Sequence, residues 1–248
     1  MSIPLRSVAL AVGALFLLAM ETQGEDLASR LAAPSRAEAD RARDAGRKPV
    51  EVLAFLGIGP AMTVVDLIAA GGYYTEVLSL AVGRDGKVYA QNNEFILKMR
   101  DGINDKTMTS RLADDRLPNV ERLDREMAEI GLAEGSVDAA ITALNFHDIY
   151  NGRGPEAAAS FLSTVRGFLK PGGVLGIVDH VGVAGADNEE LHRIELQLAL
   201  DAAKAAGFEV ETSDLLRNET DDHTKNVFAP GLRGQTDRFL LKLRKPVS

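Results

Sequence analysis

The 248-residue chain contains no cysteine and no tryptophan. Without thiols there are no disulfides, no thiolate metal sites and no cysteine nucleophile. That absence suits an oxidising compartment, where an unpaired thiol is a liability. Aromatic residues make up only 5% of the chain, so there is no obvious stacking platform for a planar substrate. Positive charge is also scarce: 28 Lys and Arg stand against 36 Asp and Glu, for a formal net charge of -8. A phosphate backbone needs a basic face, which argues against a nucleic-acid partner. The G-x-S-x-G, H-E-x-x-H and phosphate-loop signatures are missing too, which argues against those hydrolase and NTPase classes.

What is present fits one ordinary globular domain, 46% hydrophobic and 26% charged, with a small appendage. The first 24 residues stand apart. Arg6 precedes an apolar run from Val8 to Met20, and small or polar residues lead to Gly24. The run is shorter than the ~20 residues that span a bilayer, and it fits a secretory leader. This predicts export, with a periplasmic location and no stable membrane span after cleavage; an uncleaved anchor is the alternative. The expected layout is a leader over 1–24, a helical segment over 25–57 and an α/β domain over 58–248.

Within 25–57, Ser35 and Glu38 have capping-box spacing. The following "ADRARDAGRK" reads as a solvated face, and Pro49 can open the next helix. From Thr63 onward, apolar β-branched runs alternate with helical patterns. Strands are expected at "TVVDL", "GKVYAQ", "NVERL", "VDAAITAL" and "GGVLGIVDH", then at "FEVETSD" and "DRFLLKLRK". Helices are expected over 73–82, 93–100, 155–169 and 188–206. This order predicts a Rossmann-like, doubly wound α/β fold. Its seven-stranded sheet is mostly parallel and closes with an antiparallel C-terminal hairpin strand. Ligands in such sheets bind beyond the carboxyl ends of the strands.

The strand ends carry the candidate chemistry. The first leads from Asp66 through "LIAAGG" into a helix at Tyr73. Small residues there let a ligand approach an open helix N-terminus. The second ends in "QNN", where Asn92 can accept from a ligand hydroxyl or cap the next helix. After the third come Asp124 and Glu126, which can meet an amine or face solvent. The fourth ends in "NFHDIY", from Asn145 to Tyr150, and the fifth in Asp179-His180. Of the four histidines, His147 and His180 lie on this rim beside acids. They can serve as general bases with carboxylate orienters, or as metal ligands.

The element order, the loop "DLIAAGGYYTE" and the turn "FLKPGGVLGIVD" resemble class I S-adenosylmethionine-dependent methyltransferases. The resemblance covers residues 50 to 245, and "GGYYTEVL" is similar to the helix start of isoaspartyl-type members. "LNFHDIY", "LHRIE" and "TDRFLLKLRKP" further resemble a little-characterised bacterial group of predicted methyltransferases with export leaders. The resemblance implies S-adenosylmethionine as cofactor, held by Asp66, Ala70, Gly71, Gly72, Tyr73, Asn92, Glu126 and Asn145. Ile68 and Ala70 stand where the family usually has glycine, and Asn92 where it usually has an acid. His147, Asp148 and His180 are the expected catalytic groups, a base and its orienter. The acceptor is expected to be a small molecule or a group on an exported protein. A divalent cation on Asp148 and Asp179 is a less favoured variant, because no third ligand is evident. A non-catalytic binding or assembly factor built on the same fold is the competing reading.

Overall fold

The computed structural model describes residues 26–247. The expected leader therefore lies outside the described residues. Among the described residues no helix is long and apolar enough to cross a membrane.

A short helix over 26–32 is followed by α1 (Glu38–Arg47) and α2 (Pro49–Leu56). Pro49 does open α2, where its missing N–H has no intrahelical partner to lose. The capping box does not form: α1 starts after Ala37 with no side-chain cap, and Ser35 stays outside it. Nor is "ADRARDAGRK" simply a solvated face. Asp40 is buried, and its partners are Arg43 on the same helix and Arg111 far along the chain.

The sheet contains β1 (Thr63–Leu67), β2 (Lys87–Asn92), β3 (Val120–Asp124), β4 (Val137–Ala143), β5 (Leu169–His180), β6 (Glu209–Ser213) and β7 (Arg238–Arg244). Their order is β3-β2-β1-β4-β5-β7-β6, and β7 alone runs against its neighbours. Four α-helices follow the early strands: α3 (Tyr73–Val82), α4 (Glu94–Leu112), α5 (Phe146–Arg153) and α6 (Pro155–Phe168). The last helix, α7 (Leu196–Ala205), precedes β6.

Strand side chains alternate between the two faces of the sheet. Val65, Leu67, Leu175, Ile177 and Leu241 enter the core beneath α5, α6 and α7. Val64, Ile141, Val174, Val178 and Leu240 join α2 and α3 in the core on the other face. Gly176 makes the second contact possible, since a Cβ there would lie 2.5 Å from Leu56. Both faces are covered, as a parallel sheet requires.

Two elements differ from expectation. The helix expected over 188–206 begins only at Leu196. Asn188 instead turns its amide back onto Val183, with hydrogen bonds of 3.3 and 3.0 Å. Ile194 bridges to Val181, and Arg193 is buried against Asp221 at 2.9 and 3.0 Å. These tertiary contacts outweigh local helix propensity. Conversely, "FHDIYNGR" forms a short helix, which its sequence pattern did not announce.

Candidate active site

The β1–α3 loop keeps a glycine-type backbone with few glycines. Ile68, Ala70 and Gly72 have φ of 55°, 49° and 83°, all left-handed. Only glycine adopts that region without cost, and a β-branched residue there is an outlier. Two amides from the end of β2 hold the turn. Gln91 accepts from the Ile68 N–H at 3.1 Å, and its own amide donates to the Arg125 carbonyl at 2.8 Å. Asn92 accepts from the Ala70 N–H at 2.8 Å and donates to the Ala70 carbonyl at 3.2 Å. The segment "QNN" is therefore a clamp on "LIAAGG". Asn92 is 0% exposed, so it presents no atom to a ligand while the clamp is closed. It does not cap α4 either; Asn93 does, accepting from the Ile96 N–H.

Asp66 points into the start of α3, where Thr75 Oγ1 donates to it at 2.7 Å. Burial pushes its carboxyl up to about 7, although the Thr75 hydrogen bonds oppose the shift. Gly71 offers its carbonyl to Arg111 Nε at 2.9 Å. Tyr73 turns away from the loop and donates its hydroxyl to Asp44 on α1 at 2.6 Å. The Arg47 guanidinium lies over the Tyr73 ring at 4.3 Å and near Tyr74 at 5.9 Å. Burial lowers the Arg47 pKa. The charged helix α1 thus roofs the loop, a role that its polar sequence conceals.

Glu126 stays exposed after β3 and accepts from Asn93 Nδ2 at 3.0 Å. With Glu94, Phe95, Lys98 and Met99 it lines an open surface groove of about 430 Å³ beyond β2 and β3. Asp124 instead pairs with Arg122 at 2.8 Å. Asn145 lies across the gap between β4 and the loop, donating to the Ala143 carbonyl at 2.9 Å and to the Ile68 carbonyl at 3.4 Å.

The histidine cluster lies at the ends of β4 and β5. Asp179 is fully buried, and both its oxygens are engaged. Oδ1 takes His147 Nδ1 at 2.7 Å and the His180 N–H at 2.8 Å, while Oδ2 takes the His147 N–H at 2.8 Å. Those hydrogen bonds commit Asp179 to His147 and to the backbone, which disfavours the divalent cation on Asp148 and Asp179, already the less favoured variant in the sequence. His147 Nε2 faces Asp148 Oδ1 at 3.3 Å, and His192 Nδ1 reaches the same oxygen at 3.2 Å. Burial alone would lower the His147 pKa, but Asp179 and Asp148 outweigh it and raise it to about 10. His180 is 5.9 Å from His147 between ring centres, and its Nδ1 meets Thr236 Oγ1 at 2.8 Å. Burial drives its pKa down to about 3. At neutral pH His147 is therefore an imidazolium and His180 a weakly basic neutral imidazole.

Solved structures share this architecture. An S-adenosylmethionine-dependent methyltransferase from Aquifex aeolicus is 22% identical, with a TM-score of 0.58 over 79% of this chain and 89% of that one. The [4+2]-cyclase SpnF gives a TM-score of 0.60 at 16% identity over 82% of each chain. An S-adenosylmethionine-dependent methyltransferase from Mesorhizobium loti gives 0.53 at 15% identity, over 78% of this chain and 95% of that one. This is the methyltransferase Rossmann-like fold. No family model matches the chain, and no curated protein matches it in sequence.

Sequence reasoning missed the clamp from Gln91, the roof over the loop and the place of His192 in the cluster. A polar "QNN" at a strand end was a signal for the first. The third had none, because His192 reaches Asp148 only through the irregular turn before α7.

Proposed function

We propose that the chain is an S-adenosylmethionine-dependent methyltransferase acting on a small molecule or on a group of an exported protein. The observation that carries this reading is the β1–α3 loop, left-handed at 68, 70 and 72 although two of those residues are not glycine. A turn strained at two positions, and clamped by two side chains, is a conformation the fold maintains rather than one it drifts into.

The residues fit the cofactor in part. Gly71, Gly72 and the start of α3 would hold the methionine end, with Arg47 available for its carboxylate. The groove beside Glu126 would take the adenine end. The misfits are Asn92, committed to Ala70, Tyr73, turned to Asp44, and Asp66, turned to Thr75; Gly71 also meets Thr107 closely on its open side. When bound, the cofactor supplies an electrophilic methyl group on sulfur. The chain itself has to align the acceptor and accept its proton. His147 holds its proton and suits an acceptor that is becoming anionic. His180 is a poor base, and although burial raises the Asp148 carboxyl, His147 and His192 outweigh that and hold it below its ordinary value, so Asp148 takes the proton only of a readily ionised acceptor. Export of the mature chain belongs to the same proposal, supported by the Val8–Met20 run and the absence of cysteine.

Calorimetry with S-adenosylmethionine and S-adenosylhomocysteine tests it. Heat of binding is expected with both, and Ile68→Gly is expected to tighten both by clearing space beside the loop. No heat at millimolar ligand would sink the reading. The buried Asn92 clamp favours a second reading, a binding or assembly factor that uses the fold without methyl transfer. The cyclase neighbour illustrates that fold alone does not decide chemistry. Binding of neither ligand by wild type and Ile68→Gly alike would select this alternative.

A further inference from the structure

We propose that His147, Asp148 and His192 form a binding site for a divalent transition-metal ion, of the zinc or ferrous class. Their donor atoms, one from each side chain, all lie within 4.8 Å of one another. His147 Nε2 and His192 Nδ1 stand 3.3 and 3.2 Å from the same Asp148 oxygen. Two donors bound to one ion at about 2.1 Å, with angles of about 90–109°, stand about 3.0–3.4 Å apart. Both pairs that share Asp148 already have the spacing that coordination needs, and the two imidazole nitrogens lie within 4.8 Å of each other.

The surroundings support the same assignment. Asp179 holds His147 by Nδ1 at 2.7 Å, and its other oxygen binds the His147 backbone N–H. This aims Nε2 at Asp148 and His192, where a bound ion would replace the proton that His147 holds without it. A buried carboxylate on the far nitrogen of a histidine is the usual outer partner of a metal-ligating imidazole. His192 is presented by the turn that the Arg193–Asp221 pair and the Val181–Ile194 bridge lock in place. The Phe228 ring packs edge-on to His192 at 5.0 Å and walls one side with apolar surface. Asp148 is 62% exposed and His192 35%, so water or a substrate oxygen can reach the remaining coordination positions.

The donor set selects the ion. Two imidazoles and one carboxylate suit Zn²⁺, Fe²⁺ or Co²⁺, whereas Mg²⁺ and Ca²⁺ favour all-oxygen sites. An ion held this way would bind an acceptor oxygen directly and lower its pKa. The site itself does not depend on the methyl-transfer reading, because metal uptake is measured without any methyl donor.

The test uses the purified full chain, stripped with chelator and dialysed. Titration with Co²⁺ is followed by visible absorption, and titration with Zn²⁺ by calorimetry. Wild type is expected to take one ion per chain, to show a cobalt spectrum, and to ignore Mg²⁺. His192→Ala and Asp148→Ala, both at accessible positions, are each expected to weaken Zn²⁺ at least tenfold and to abolish the cobalt bands. Circular dichroism confirms that each variant is folded. His223→Ala, outside the cluster, should bind like wild type. No stoichiometric uptake by wild type, or uptake unchanged in both cluster variants, would overturn the proposal and leave three hydrogen-bonded side chains.

Discussion

Asn92→Ala reports how far the β1–α3 loop depends on side chains from β2. Asn92 is 0% exposed and makes hydrogen bonds of 2.8 and 3.2 Å to the N–H and carbonyl of Ala70. Each buried polar group left without a partner costs about 1–3 kcal/mol. Ala70 is only half-buried, so water recovers part of that. The expected loss is about 2 kcal/mol. Ala70→Gly acts the other way. A left-handed alanine, here with φ of 49°, is strained. The strain is about 1–2 kcal/mol, of which about 0.5–1 kcal/mol is offset by the greater freedom of glycine when unfolded. A net gain of about 0.5 kcal/mol follows. The two changes are coupled, because the clamp holds the turn that glycine adopts freely. Once the clamp is gone a left-handed alanine can relax, whereas a glycine has no strain to release, so Asn92→Ala should cost about 1 kcal/mol more when Ala70→Gly is already present. Urea unfolding of the four proteins at one pH, with equal slopes, measures the cycle. A coupling within about 0.3 kcal/mol of zero would refute the idea that the clamp offsets backbone strain.

Three further outcomes are expected. The folded pKa of Asp66, about 7, exceeds its ordinary 3.8, so its contribution is full below pH 3.8 and is lost as pH rises through about 7. Asp66→Asn does not titrate, so the stability difference should move in its favour by up to about 4 kcal/mol across that window. A pH-independent difference in denaturation would contradict this. Arg193→Ala leaves the buried Asp221 carboxylate without its cation, which should cost about 3–5 kcal/mol by chemical denaturation. Arg193→Lys should recover only part of it, since a single ammonium cannot reproduce the two-pronged contact. Finally, Asp66→Ala should weaken S-adenosylmethionine in calorimetry while His147→Ala leaves its affinity unchanged. The reverse pattern would overturn the division between loop and histidine cluster.

Much of the fold was legible in the sequence. The β1 range matches "TVVDL", and α3 starts at Tyr73 and stops before Gly83 as its pattern indicates. Alternation in strands and periodicity in helices are local, so they survive without knowledge of neighbours. The antiparallel end of the sheet was equally readable, because two strands with no helix between them pair as a hairpin. The segment 188–195 was not. It has helix-compatible residues, but Arg193 gains more from Asp221 than from a helical turn.

The same division holds at the candidate site. By itself, the sequence determined that an acid, a loop of small residues and two histidines would meet at the strand ends, because strand order places those ends on one rim. It also marked Ile68, Ala70 and Asn92 as departures from the pattern the chain resembles. Only the tertiary structure decided what the departures do. Asn92 lies beside Ala70 through pairing of β1 with β2, and His192 lies beside Asp148 through a turn fastened to Asp221. Both depend on distances between residues far apart in the chain, and no local pattern encodes those.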